Sequence, residues 1–141
     1  MDKPTWVLMV VIGFGLSACW RVQSKAAVAG SYELVSGSKK IILELKSDDT
    51  YEESVMFGGI VTDRRTGTWR WGGKFVDFDS LWIPKQFAPD YILDADASAG
   101  PGEPKYTEPG HWSLGAEKHF GRTVLCVFED VNFTMVKPAP K

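Results

Sequence analysis

The chain has few of the residues on which metal sites and most catalytic sites depend. Its 141 residues include two cysteines, Cys19 and Cys126, and two histidines, His111 and His119. Two histidines without a recognised motif of cysteines or acids predict neither a zinc site nor a catalytic triad. We therefore expect no metal, no cofactor and no catalytic residue, and we interpret the protein as non-enzymatic.

The chain also lacks a large excess of positive or negative charge. The chain has 16 Lys and Arg residues against 18 Asp and Glu residues, which gives a formal net charge of −2 at pH 7. Domains that bind nucleic acid carry a basic patch or stripe instead. We therefore exclude nucleic acid as a partner.

The longest apolar run is too short to cross a membrane. Residues 6–16 are apolar, and at about 1.5 Å per residue their helix would span about half of a bilayer's hydrocarbon core. They follow a polar start that contains Lys3 and precede the small residues Ser17 and Ala18. This order is typical of a secretory signal peptide.

Leu16-Ser17-Ala18-Cys19 resembles the bacterial lipobox. The resemblance implies a signal peptide over residues 1–18, fatty acyl chains such as palmitate on Cys19, and a lipid-anchored place in the bacterial cell envelope. Because Trp20 follows the cysteine where an Asp would signal retention in the inner membrane, it also implies the outer membrane, facing the periplasm. Alternatively, cleavage after Ala27-Val28-Ala29 would give a secreted or periplasmic protein.

We expect a single folded domain after the signal segment. Residues 19–29 are predicted to be the lipidated cysteine and a tether, residues 30–136 a β domain, and residues 137–141 a tail. Since Cys19 is either lipidated or removed, Cys126 has no disulfide partner in the chain. Its place in an apolar strand predicts a small core residue.

Short segments of alternating polarity, separated by turn residues, predict an all-β fold. The strands are predicted at residues 30–35, 40–46, 51–57, 60–65 leading into 67–71, 74–83, 111–114 continuing through 118–120, 122–128 and 131–136. About eight strands in hairpin succession predict an antiparallel meander that forms a small closed or partly open barrel, with a two-sheet β-sandwich as the alternative.

The first strand opens with Gly30-Ser31-Tyr32, which is similar to the Gly-x-Trp opening of lipocalins with Tyr in place of Trp. The resemblance implies a lipocalin-like barrel with an interior that binds a small apolar ligand.

One long insertion, residues 84–110, breaks the strand pattern with five prolines. Within it, Asp94-Ala95-Asp96-Ala97-Ser98 starts like a calcium loop, but Ala99 and Lys105 stand where Gly and Glu are needed. We expect the insertion to be the main interaction region. Candidate ligand-binding residues in and before it are Trp69, Trp71, Trp82, Phe87 and Tyr91.

These observations predict a non-enzymatic cell-envelope lipoprotein whose β domain binds a small apolar ligand or an envelope protein. A structural or assembly accessory without a small ligand is the alternative, and an envelope hydrolase is the third possibility. A hydrolase would require His111 or His119 beside a carboxylate in a pocket.

Overall fold

The computed structural model describes residue 22 and residues 24–87, 108–128 and 133–138. Eight antiparallel strands follow one another in sequence order and close into a barrel. The strands are β1 Gly30–Ser36, β2 Lys39–Leu45, β3 Thr50–Phe57, β4 Ile60–Trp71, β5 Phe75–Leu81, β6 Gly110–His119, β7 Arg122–Phe128 and β8 Phe133–Val136. The predicted all-β barrel is confirmed, and the alternative sandwich does not form.

Tight turns set the register of the hairpins. The β3–β4 turn is Gly58-Gly59, with φ angles of 57° and 80° that favour glycine at both positions. In the β2–β3 turn, the Asp48 carboxylate accepts hydrogen bonds from the Thr50 amide at 3.0 Å and the Thr50 hydroxyl at 2.6 Å. Asp48 therefore forms an Asx turn, and its hydrogen bonds lower the pKa of Asp48.

Two strands are longer, and one is less regular, than the sequence predicts. β4 and β6 each run without a break, because Gly115 and Ala116 continue the β6 ladder opposite Cys126 and Leu125. In β5 the register shifts between Phe78 and Leu81. The shift turns Leu81 inward, so a strict alternation of buried and exposed residues does not hold over the whole of the strand predicted at 74–83.

The inward faces of the strands fill the barrel. Large buried side chains of this core include Tyr32, Tyr51, Trp69, Phe78 and Trp112, and aliphatic residues of β2, β6 and β7 belong to the same core. β7 is buried on both faces over residues 123–126, which agrees with its apolar sequence. The interior is therefore a packed core where the structure describes it.

A short helix, α1 Lys25–Val28, closes the lower end of the barrel, which we define by the turns at 46–49, 72–74 and 120–121. Val28 is fully buried, its carbonyl accepts a hydrogen bond from the Tyr32 hydroxyl at 2.5 Å, and Val22 belongs to the same core. The tether predicted over residues 20–29 is therefore partly docked, because its apolar residues pack onto the barrel.

The chain after β5 lies across the upper end, which we define by the turns at 37–38 and 58–59. A 3₁₀ turn at Lys85–Phe87 is fixed by a hydrogen bond of 2.7 Å from Lys39 Nζ to the Gln86 carbonyl. Phe87 packs edge-on against Phe57, with ring centroids 6.0 Å apart. Among the described residues, no helix is both long enough and apolar enough to span a membrane.

Candidate functional site

The barrel wall opens between β4 and β5. β3 pairs with β4 from Thr68 to Ile60, whereas the β5 ladder reaches only Trp69 to Trp71. In the described part of the chain, residues 60–67 have no ladder partner on the β5 side. We call this stretch the β4 edge.

Side chains keep β4 and β5 apart beyond Trp69. The Asp79 carboxylate accepts hydrogen bonds from the Thr68 amide and hydroxyl, both at 3.0 Å, where a backbone ladder would otherwise continue. Gly67 lies against the Tyr51 ring, and a Cβ at this position would come within 2.7 Å of two Tyr51 atoms. Only a residue without a side chain fits between Tyr51 and Asp79.

Behind the β4 edge lies a buried carboxyl group. Glu53 projects inward from the middle of β3 and is fully buried. Its Oε2 accepts a hydrogen bond from the Trp82 backbone amide at 3.2 Å, and its Oε1 has no hydrogen-bond partner among the described residues. Burial raises the pKa of Glu53 to about 8, against the opposing effects of the Trp82 hydrogen bond and the Arg65 charge.

A cation and a second acid complete the cluster. Arg65 is the cross-strand neighbour of Glu53, and its Nε lies 2.7 Å from the Asp63 carboxylate. The Arg65 guanidinium also lies 5.1 Å from the centre of the Trp82 ring, within the range of a cation–π contact. We refer to Glu53, Asp63, Arg65 and Trp82 as the seam cluster.

The seam cluster is suited to binding. Near neutral pH the Glu53 carboxyl is mainly protonated, so it is able to donate as well as accept a hydrogen bond. Arg65 is about one-third exposed and joins the buried carboxyl to the solvent side. Burial also raises the pKa of Tyr51, as do the nearby Asp79 and Glu53 carboxylates.

The predicted ligand-binding residues do not form one platform. Trp69 is buried at the lower end, where its indole N–H donates to the Lys46 carbonyl at 2.9 Å, and Trp71 is partly buried beside the same core. Trp82 and Phe87 lie at the upper end. Tyr91 is outside the described residues, as is the calcium-like segment 94–98.

Two open grooves lie on the outer wall of the described barrel. One, of about 250 Å³, is lined by Trp69, Phe78, His111 and polar residues of β4 and β5. Asp77 and Asp79 accept hydrogen bonds there from Ser113 and Thr68. The second, of about 410 Å³, runs beside Phe120 and β8. Both are open and mix polar with apolar side chains, in contrast to the enclosed apolar cavity expected of a ligand carrier.

The structure separates the two histidines. His111 lies in the first groove, whereas His119 is at the far end of β6, with its Nε2 2.9 Å from Glu117 Oε2. The donor atoms of Glu117, His119 and Cys126 lie within 4.8 Å of one another. Among the described residues, this group could hold a metal ion.

The chain was compared with protein-family models, curated proteins and solved structures. No family model, curated protein or solved structure matches it. Its function therefore has to be argued from its own residues.

The sequence contained a signal for the two clusters that the prediction missed. Glu53 alternates with Tyr51 and Val55, so the period of β3 already places it on the inward face. Glu117 and His119 share one face of β6, but their link to Cys126 depends on the hairpin register, which only the structure supplies.

Proposed function

We propose that the chain is a non-enzymatic lipoprotein of the bacterial envelope, anchored through Cys19, whose barrel binds an extended segment of another envelope protein along the β4 edge. The observation that carries the proposal is the missing ladder partner of residues 60–67 on the β5 side within the described chain. Unpaired backbone groups on a strand are a template for an added strand.

The side chains of the β4 edge support a peptide partner. Ile60 is 70 % exposed and Val61 is 37 % exposed, so apolar surface lies at the start of the strand. Arg64 is exposed farther along the same strand. A partner strand with apolar residues and a carboxylate would complement both features, while the Arg64 charge disfavours pairing of two copies of this chain.

A protein partner is better supported than a small apolar ligand. The described interior is packed with aromatic and aliphatic side chains, and α1 lies across its lower end. The grooves beside Trp69 and Phe120 measure about 250 and 410 Å³, but both are open and mix polar with apolar side chains, whereas ligand pockets are usually concave and mostly apolar. This argues against the ligand-carrier version of the function.

Site-specific photo-crosslinking in the intact envelope tests the proposed surface. A photoreactive residue in place of Arg64 should give a discrete adduct with one envelope protein. The same residue in place of Glu44 is the matched control, because Glu44 is exposed on β2, which pairs on both sides. No adduct at position 64, or equal adducts at both positions, would contradict the proposal and favour a structural accessory.

A charge placed on the edge tests the mode of binding. With the crosslinked partner purified, Ile60→Lys should weaken its binding at least about tenfold, because a cation on an edge strand opposes strand addition. Val35→Lys is the control, since Val35 is 61 % exposed but lies on β1, away from the β4 edge. Equal effects of the two variants would contradict strand addition at β4.

The anchor is tested separately. The mature protein extracted from membranes should carry the mass of a lipidated chain that begins at Cys19, and Cys19→Ala should remove both the added mass and the membrane partition. Unchanged mass and partition in the variant would contradict the lipoprotein proposal without bearing on the β4 edge.

A further inference from the structure

We propose that Glu117, His119 and Cys126 form a binding site for a zinc-like divalent transition metal on the outer wall of the barrel. The three residues offer one carboxylate oxygen, one imidazole nitrogen and one sulfur, and the donor atoms lie within 4.8 Å of one another. The site is distinct from the β4 edge and the seam cluster, so it stands independently of the proposed function.

The hairpin register brings these donors together. Glu117 and His119 alternate on β6 and therefore share its outer face, whereas Cys126 stands on β7 opposite Gly115. Because Gly115 has no side chain, the residue directly opposite Cys126 does not cover the thiol. Glu117 is the diagonal neighbour of Cys126, and the longer side chain of His119, two residues farther along β6, also brings its donor atom within 4.8 Å of the sulfur.

The distances are close to those of a tetrahedral site. Bonds of about 2.0–2.3 Å to zinc place neighbouring donors about 3.3–3.6 Å apart. Glu117 Oε2 and His119 Nε2 are already 2.9 Å apart, and the largest separation in the group is no more than 4.8 Å. The Glu117 and His119 side chains are partly exposed, so they have room to rotate toward these separations.

The donor set selects the type of metal. Thiolate and imidazole favour zinc and its neighbours over magnesium and calcium, which prefer oxygen ligands alone. Three protein ligands leave a fourth position for water or for a side chain of a partner. On binding, the metal replaces the Cys126 thiol proton, which is released to solvent.

The surroundings permit a cation at this position. The side chains of Glu117 and His119 are 46 % and 38 % exposed, so a metal ion can approach from solvent. Cys126 is 4 % exposed and would bind the ion from the buried side of the site. Arg122 is the cross-strand neighbour of His119, and its positive charge would repel a metal ion. It is exposed and can turn its guanidinium away from the ion.

The test uses the full chain with Cys19→Ala, which leaves Cys126 as the only thiol. Cobalt(II) should give the absorption of tetrahedral coordination together with a thiolate-to-metal charge-transfer band, at one metal per chain. Zinc should then displace the cobalt and raise the unfolding temperature.

Three variants and one control decide whether these residues are the ligands. His119→Gln and Cys126→Ser should each weaken zinc binding by at least about tenfold and abolish or shift the cobalt spectrum, and Glu117→Gln should weaken it less. His111→Gln is the control histidine and should bind as the parent does. His119→Gln changes a partly exposed residue, so it remains informative if Cys126→Ser fails to fold.

Results of the following kinds would overturn the site. One is cobalt binding without a thiolate band, and another is zinc affinity that His119→Gln leaves unchanged. Equal losses with His111→Gln and His119→Gln would likewise show dispersed surface binding instead of one site.

Discussion

The backbone amide of Trp82 donates a hydrogen bond to the buried carboxyl of Glu53 across 3.2 Å. This contact joins two segments that are far apart in sequence, the chain that crosses the upper end of the barrel and the middle of β3. It holds Trp82 beside Arg65. It also gives the buried Glu53 carboxyl a hydrogen-bond donor, which a polar group in a protein interior needs.

Glu53 should make the protein's stability depend on pH. Burial raises the pKa of Glu53 from 4.5 to about 8, so between these values the folded chain holds a proton that the unfolded chain has lost. The free energy of unfolding should therefore fall as pH rises through this window, by up to about 1.4 kcal/mol per pH unit. Denaturant titrations between about pH 5 and 9 measure this slope.

Glu53→Gln should flatten that slope, because the amide cannot ionise. Its stability should exceed that of the parent above about pH 8, where the parent holds a buried charge. Glu44→Gln, which changes an exposed acid on the outer face of β2, should leave the slope as it is. A parent and a Glu53→Gln variant with the same pH profile would show that Glu53 is not buried as described.

Gly67→Ala tests the contact that separates β4 from β5. A Cβ at residue 67 would lie 2.7 Å from two atoms of Tyr51 and would also meet Asp79, so these side chains must move. We expect a loss of about 1–3 kcal/mol in the free energy of unfolding, as for other overpacked positions. Gly110→Ala is the control, since a Cβ there meets nothing within 4 Å, and equal losses in the two variants would contradict the role given to Gly67.

The order of the strands was predictable from the sequence for a local reason. Polarity with a period of two and turn residues such as Gly58-Gly59 act over a few neighbours, and a meander needs little else. The continuous β6 was harder to predict, because Gly115 and Ala116 resemble a break until their partners on β7 are known. Residues 25–28 were assigned to a tether because their burial depends on contacts with distant parts of the barrel.

The candidate site was only partly predictable. The sequence analysis predicted Trp82 as a ligand-binding residue together with Trp69. The barrel places these two residues at opposite ends. Glu53 is not among the predicted site residues, although its alternation with Tyr51 and Val55 predicts an inward side chain. Which groups meet inside a barrel depends on its closure and register, and neither is encoded within a single strand.

Tyr32→Phe tests the docking of α1. The Tyr32 hydroxyl donates to the Val28 carbonyl at 2.5 Å, and burial of that hydroxyl raises its pKa. Removal of the hydroxyl should cost about 1–2 kcal/mol and loosen the helix, since a buried carbonyl loses its donor. Hydrogen exchange should quicken at the Ala29 amide, which bonds within α1, while the Leu43 amide in β2 should follow only the global change in stability. Unchanged exchange at Ala29 would contradict the role of this hydrogen bond in docking α1.

The docked helix also predicts how the anchored domain faces its membrane. If Cys19 carries lipid, the three residues to Val22 extend at most about 11 Å, and Val22 already belongs to the barrel core. The lower end, where α1 is packed, should therefore lie near the lipid surface, and the β4 edge should be directed away from it toward the periplasm. A partner would then reach the edge without crossing the headgroups.

Fluorescence quenching from the bilayer measures this orientation. In lipidated protein carrying Cys126→Ala, a dye attached at Lys74→Cys, in the lower turn 72–74, should be quenched by headgroup-bound quenchers more strongly than a dye at Ile60→Cys. Both native residues are exposed, so the labels should leave the core intact. The same two dyes on a chain with Cys19→Ala should show no difference, since that chain is not anchored. Equal quenching in the lipidated protein, or stronger quenching at residue 60, would mean that the lower end does not face the membrane and that the chain before Val22 is a longer tether than the docked helix implies.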